Sequence, residues 1–148
     1  MGESGSKGII LLSSAHALLK GGMSATRKVR VMLVEDHIAF REAPTFLLCH
    51  KSDLEVVAQA GSLAEAREAL VEAPLDVAVV DLGLPDGDGR ELFGELRRAN
   101  PGISVVVLSA NIEAGHLDEV QRAGADAMLD KVESPLIIAE EVRRLAGR

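Results

Sequence analysis

Residues 76–81, Asp-Val-Ala-Val-Val-Asp, run directly into Leu-Gly-Leu-Pro-Asp-Gly-Asp-Gly at residues 82–89, and this junction is the strongest fold signal in the chain. The four residues before Asp81 are apolar and mostly β-branched, which is typical of a strand buried on both faces. Such strands lie inside parallel sheets that helices cover on both sides. The glycines and the proline after Asp81 indicate a loop, so this carboxylate is predicted to end the strand.

Similar apolar runs occur at four other places, and each is followed by a stretch with helical features. We predict the remaining strands at residues 29–34, 54–58, 103–108 and 127–129. We predict helices at residues 37–49, 63–72, 90–99, 112–123 and 135–145. Because parallel strands need helical crossovers, these five units predict an α/β fold with a doubly wound, five-stranded parallel sheet.

Local signals set several helix boundaries. Ser62 begins a capping box that Glu65 completes. Ser134 is a predicted N-cap, with Pro135 in the first helical position. Pro44 lies inside the first predicted helix, and we expect it to kink that helix or to remove one of its hydrogen bonds.

The composition excludes several classes of protein. The 148 residues fit one domain, and 16 basic against 23 acidic residues give a net charge of −7, which is unfavourable for gripping a phosphate backbone. One cysteine, no tryptophan, no tyrosine and three phenylalanines argue against a disulfide, a cysteine-rich zinc site and base stacking. No run of about 18 apolar residues is present to span a membrane. We therefore expect a cytoplasmic chain that binds neither nucleic acid nor membrane directly.

The N-terminal part differs in composition from the rest. It is rich in glycine and serine and has one apolar run, at residues 9–19. We interpret residues 1–28 as an N-terminal extension, either flexible or added during cloning, and residues 29–148 as the domain. The alternative is a signal peptide, with Ala15-His16-Ala17 as its cleavage site. Gly21-Gly22 before Met23 favours a linker and a second start instead.

Charged and polar residues stand where four of the predicted strands end: Glu35 and Asp36, Asp81, Ser109, and Lys131. Ligands of open parallel sheets bind outside the carboxyl ends of the strands, so these side chains are predicted to converge. Three carboxylates in one cleft need a cation, and a small site of oxygen ligands favours Mg²⁺. A carboxylate there can attack a phosphoryl group, whose oxygens a lysine and a hydroxyl can hold. The alternative is that these residues only cap helices and loops.

Four segments carry a family resemblance: VMLVEDH at residues 31–37, DLGLPDGDG at 81–89, LSA at 108–110 and GADAMLDK at 124–131. In order and spacing they resemble the receiver domain of bacterial two-component response regulators, over about residues 29–145. The Glu-Asp-His motif and the Ser-Pro after Lys131 are similar to the branch that often carries a helix-turn-helix output domain. The resemblance implies a flavodoxin-like (βα)5 fold.

The resemblance also assigns roles to residues. Asp81 would be the phosphoacceptor, which takes a phosphoryl group from a sensor histidine kinase or a phosphotransfer protein. The catalytic set would be Asp81, Ser109 and Lys131. The implied Mg²⁺ ligands are Glu35, Asp36, Asp81 and the backbone carbonyl of Gly83. Lys131 would pair with a phosphoryl oxygen, and Ser109 would move to hydrogen-bond the phosphoaspartate.

One departure from the family concerns the switch, which we assign to Ser109 and Met128. The family usually has Tyr or Phe three residues before the lysine, where this chain has Met128. Methionine can fill gaps, but it has neither a ring nor a hydroxyl. The coupling between phosphorylation and the rest of the domain is therefore predicted to differ from that of the family.

Three functions are compared. The first is a phosphorylatable signalling domain that is no enzyme beyond slow self-catalysed phosphotransfer and dephosphorylation. The second is a receiver-like module that binds proteins without being phosphorylated, and a homodimer is open in either case. The third is an enzyme of similar topology. A dinucleotide-binding protein would need a glycine motif after the first strand, but Glu35-Asp36-His37 stands there instead. A phosphatase of the haloacid dehalogenase type would need a second aspartate two residues after Asp81, but that residue is Gly83. The first function fits best. Whether the domain stands alone or belongs to a longer regulator stays open.

Overall fold

The computed structural model describes residues 27–72, 74–110 and 116–147. Its main sheet has five strands, β1 Val29–Val34, β2 Leu54–Ala60, β3 Val77–Asp81, β4 Ser104–Ser109 and β5 Ala127–Asp130. All neighbouring pairs are parallel, and the order across the sheet is β2-β1-β3-β4-β5. This order is that of the doubly wound, flavodoxin-like fold, so the predicted fold class is confirmed.

Within these ranges, five α-helices connect and cover the strands: α1 Ile38–Cys49, α2 Leu63–Leu70, α3 Phe93–Ala99, α4 His116–Ala123 and α5 Pro135–Leu145. The predicted helix at residues 90–99 begins as a 3₁₀ turn, Gly89–Leu92, before α3. The first part of the helix predicted at 112–123 and nearly all of the predicted N-terminal extension lie outside the described residues. None of the helices in the described ranges is long and apolar enough to cross a membrane.

Two apolar cores lie on opposite faces of the sheet because side chains alternate along each strand. Val31 and Leu33 of β1 face α1 and α5, where they join Leu48 and Ile138. Their neighbours Met32 and Val34 face the other way and join side chains of α2, α3 and α4. The central strand β3 is buried along its whole length, as its continuous apolar sequence predicts.

Two details differ from the sequence prediction. Strand β2 continues two residues further than expected, to Ala60, because it keeps pairing with β1 up to Val34 after a register shift. Helix α1 is continuous through the buried Pro44. Since a proline has no backbone N–H, the cost there is one missing helical hydrogen bond rather than the end of the helix.

The N-terminus of α2 is capped by two parts of the chain. Ser62 accepts a hydrogen bond from the amide of Glu65 at 3.1 Å, as the capping box predicts. The Glu65 carboxylate reaches the amide of Gly61 rather than that of Ser62, at 2.7 Å. Asp86, from the loop after β3, accepts from the amides at residues 63 and 64 at 2.8 and 3.1 Å. The loop is thereby attached to α2, and these contacts lower the pKa of Asp86.

That loop is a short hairpin in which Gly83–Leu84 pairs with Gly87–Asp88. It leads to Gly89, which lies directly against β3. A Cβ at Gly89 would overlap the carbonyl oxygen of Asp81 and approach Val80 Cγ1 to 2.9 Å. The absence of a side chain therefore lets the hairpin close against the end of the strand that carries Asp81.

We expect Gly89→Ala to lower the free energy of unfolding by about 1–3 kcal/mol, the usual cost of overpacking. Urea denaturation followed by circular dichroism measures the change. Gly102→Ala is the matched control, because a Cβ at Gly102 meets nothing within 4 Å. Equal midpoints for the two variants would contradict the proposed close contact.

Candidate functional site

The carboxyl edge of the sheet collects the predicted site residues. Glu35 and Asp36 follow β1, Asp81 ends β3, Ser109 ends β4 and Lys131 follows β5. Parallel strands all end at this edge, which explains why residues so distant in sequence lie together. Glu35, Asp81 and Ser109 are buried, with relative exposures of 1%, 4% and 7%.

Lys131 connects the two buried carboxylates. Its Nζ lies 3.1 Å from Asp81 Oδ2 and 3.2 Å from Glu35 Oε2. Only 10% of its side chain is exposed. The Lys131 backbone is also held, because its amide donates to the carbonyl of Ser109 at 2.9 Å. The ammonium group therefore has a defined place between β1, β3 and β4.

The electrostatics of this group follow from burial and charge. Burial raises the pKa of Glu35, and the Asp81 charge adds to the rise, while the His37 amide and Lys131 oppose it. Burial alone would lower the pKa of Lys131, but its hydrogen bonds to Asp81 and Glu35 and their charges outweigh burial and raise it. Lys131 is therefore an ammonium group at neutral pH.

Two carboxylate oxygens of the site have no hydrogen bond within the described part of the chain. They are Glu35 Oε1 and Asp36 Oδ1, and both atoms are buried. Burying an oxygen of this kind without a partner is costly. Ligand atoms of Glu35, Asp36, His37 and Asp81 all lie within 4.8 Å of one another. An acidic cluster with unpaired oxygens fits a divalent cation.

Asp81 is oriented from two sides. The Lys131 ammonium donates a hydrogen bond to Oδ2, and the amide of Gly83 donates one to Oδ1 at 3.2 Å. The hairpin that begins at Gly83 is closed by a backbone bond from Gly89 to the carbonyl of Leu82 at 2.9 Å. The role of the Gly83 carbonyl as a ligand stays a prediction.

The two predicted switch residues occupy different surroundings. Ser109 is buried at the end of β4, beside the backbone of Lys131. Met128 is half-buried in β5, pairs in register with Val107, and packs on the core shared by α2, α3 and α4. Met128 thus contacts the sheet face opposite to α1 and α5.

The structure adds Phe40 as an aromatic neighbour of the site, which the sequence prediction did not include. The ring of Phe40 lies 4.9 Å from Lys131 Nζ, within the range of a cation–π contact. His37 and Phe40 meet edge to face, with ring centroids 5.9 Å apart. Their spacing of three residues at the start of α1 is the signal that could have indicated a shared face.

The site thus places a buried carboxylate between an ammonium group and an acidic cluster with unpaired oxygens. A carboxylate in this setting can act as a nucleophile toward a phosphoryl group. The ammonium and a bound cation can neutralise the charge on the incoming oxygens.

Comparison with known proteins finds relatives among transcriptional regulators. DNA-binding transcriptional activator DevR/DosR from Mycobacterium tuberculosis is 36% identical over 121 residues, which are 81% of this chain and 56% of that protein. The transcriptional regulatory protein UhpA from Salmonella typhimurium is 34% identical over 107 residues, covering 72% of this chain and 53% of UhpA. The chain therefore spans about half the length of these curated relatives.

Solved structures match over a similar range. The signal receiver domain of the response regulator NarL from Mycobacterium tuberculosis has a TM-score of 0.75 and 29% identity, with 82% of this chain and 98% of that chain covered. A LuxR-family two-component response regulator from Aurantimonas has a TM-score of 0.72 and 28% identity, with 82% and 87% covered. Residues 31–143 match the family described as the response regulator receiver domain. On this match, its curated relatives and its five-stranded parallel fold, the chain belongs to the response regulator receiver domain family.

Proposed function

We propose that Asp81 is the phosphoacceptor of this receiver domain and takes its phosphoryl group from the phosphohistidine of a sensor histidine kinase or a phosphotransfer protein. The observation that carries the proposal is the position of the Asp81 carboxylate, buried and hydrogen-bonded to Lys131, beside the unpaired oxygens of Glu35 and Asp36. No other aspartate among the described residues combines burial with such neighbours.

The transfer needs few changes in this site. An Asp81 carboxylate oxygen forms a bond to phosphorus as the phosphorus–nitrogen bond of the donor breaks, and the histidine leaves with the electron pair. Lys131 exchanges its contact with Asp81 for one with a phosphoryl oxygen. Mg²⁺, held by Glu35, Asp36, Asp81 and the Gly83 carbonyl, would supply positive charge against the phosphoryl oxygens. Ser109 donates its hydroxyl to the phosphoaspartate.

The product is a signal rather than a released compound, so the domain acts as a phosphoacceptor with only slow self-catalysed phosphotransfer and dephosphorylation. We propose residues 29–148 as the signalling unit. The net charge of −7 makes binding of a nucleic acid backbone by this chain unfavourable. We therefore expect this chain to act through contacts with proteins, and we propose the cytoplasm as its location.

A second function is favoured by one residue. Met128 replaces the aromatic side chain of the family's switch, as expected for a receiver-like module that binds proteins without phosphorylation. This module would leave Asp81 unmodified by every donor, so the labelling experiment below separates the two functions.

With Mg²⁺ and acetyl phosphate or phosphoramidate, we expect one phosphoryl group on the wild-type chain, lost after treatment with base. Asp81→Asn should abolish the labelling, because an amide is not a nucleophile here. Intact-mass spectrometry gives the count. Asp118→Asn, on the exposed side of α4, is the matched control and should label normally. Equal labelling of wild type and Asp81→Asn would exclude Asp81 as the acceptor.

We expect Asp36→Asn to make the metal-free protein more stable and to weaken its binding of Mg²⁺. The variant removes one of three neighbouring negative charges, so we expect the metal-free protein to gain about 0.5–2 kcal/mol of stability, as is common at functional sites. The stabilisation that Mg²⁺ confers on the wild type should shrink at the same time. Thermal unfolding with Mg²⁺ and with a chelator measures both changes. A variant less stable than wild type in chelator, or with an unchanged Mg²⁺ effect, would refute the assignment.

Phosphorylation should change the region around Met128 only slightly. A modification shifts an equilibrium only by the difference it makes between two states, and methionine offers less difference than a ring with a hydroxyl. With beryllofluoride and Mg²⁺, we expect amide chemical shifts to change near Asp81, Ser109 and Lys131. Met128→Tyr should extend the changes to α4. Large changes at Met128 and α4 in the wild type would show that methionine transmits the signal.

A further inference from the structure

His37 occupies an unusual position at the start of α1. It is the N-cap residue, with φ −85° and ψ 114°, yet its side chain caps no helical amide. The side chain is instead turned toward the acidic residues, although 61% of it remains exposed. The imidazole of His37 therefore lies beside the acidic residues, with most of its surface open to solvent.

One distance at His37 is close to that between neighbouring metal ligands: its Nδ1 lies 3.4 Å from Asp36 Oδ1. On its other side, Nδ1 is within hydrogen-bond distance of Glu35 Oε2, at 3.4 Å, the oxygen that also contacts Lys131. Around an ion with bonds of about 2.1 Å, adjacent ligand atoms lie about 3 Å apart. A small movement of the exposed ring would thus place Nδ1 in the coordination sphere of an ion held by these carboxylates.

A separate observation indicates that an ion belongs there. Glu35 is only 1% exposed, and its Oε1 is buried without a hydrogen bond to any described residue. A buried carboxylate oxygen of this kind needs a positive partner, and Lys131 already lies on the other oxygen, Oε2. A cation next to Oε1 would satisfy it.

Phe40 packs against one side of the imidazole. The two rings meet at 82° with centroids 5.9 Å apart, and the other contact of Phe40 described above is with Lys131. Contacts that orient a histidine increase its affinity as a metal ligand. Ligation through Nδ1 leaves the proton of the neutral ring on Nε2.

We propose that His37 Nδ1 is an additional metal ligand, and that the site therefore binds a divalent first-row transition ion more tightly than Mg²⁺. The inference rests on the proposed metal site and adds the nitrogen ligand and the choice of ion. Imidazole nitrogen favours first-row transition ions, whereas Mg²⁺ prefers oxygen and gives up its water reluctantly.

Mn²⁺ is the probe, because pulsed electron paramagnetic resonance detects a directly bound nitrogen. The wild-type chain should show ¹⁴N modulation from one histidine and bind Mn²⁺ at least about tenfold more tightly than Mg²⁺ by calorimetry. His37→Phe keeps a ring against Phe40 but removes the nitrogen. It should lose the modulation and weaken Mn²⁺ binding about tenfold or more, with Mg²⁺ binding changed less than about twofold. His50→Phe, on the other end of α1, is the matched control and should behave as wild type.

The outcomes separate the inference from the function on which it rests. Absence of ¹⁴N modulation in the wild type, or equal losses of Mn²⁺ and Mg²⁺ affinity in His37→Phe, would overturn the role of His37. If Asp81 is labelled normally in that case, the proposed function stands without it. Asp36→Asn should weaken both ions. Nitrogen modulation with no labelling of Asp81 would support the metal inference and refute the phosphoacceptor.

Discussion

The contact of the Lys131 ammonium with two buried carboxylates holds the carboxyl edge of the sheet together. Lys131 follows β5, whereas Glu35 and Asp81 belong to β1 and β3, so the ion pairs cross the sheet in the same region where all strands end. Without the ammonium, two like charges would be buried side by side, which is strongly destabilising. On the far side of Asp81, the amide of Gly83 at the start of the hairpin donates to the oxygen that Lys131 leaves free.

The site is a cost to the stability of the free domain. Glu35 Oε1 and Asp36 Oδ1 are buried without hydrogen bonds to described residues, and oxygens of the Glu35, Asp36 and Asp81 carboxylates lie within 4.8 Å of one another. The two apolar cores offset this cost, because β3 is buried on both faces and β1 contributes to both cores. Because these carboxylate oxygens lack hydrogen bonds to the described part of the free protein, they can gain favourable contacts when a cation binds.

One departure from the family pattern lies on the side of α4, where Met128 stands in place of the aromatic ring of the switch. On the side of α1, the rings of His37 and Phe40 lie one against the acidic residues and one against Lys131. The aromatic contacts of the site among the described residues are therefore on the α1 side, next to the acidic cluster.

The sequence by itself determined the five strands, the cap at Ser134 and the residues at the strand ends. Apolar β-branched runs and capping residues act locally, and parallel strands must bring their ends to one edge. Only the tertiary structure decided the extension of β2 to Ala60, the use of Asp86 to cap α2, and the meeting of Phe40 with Lys131. Each of these depends on the distance between side chains or backbones of separate elements, which packing sets and no local pattern encodes.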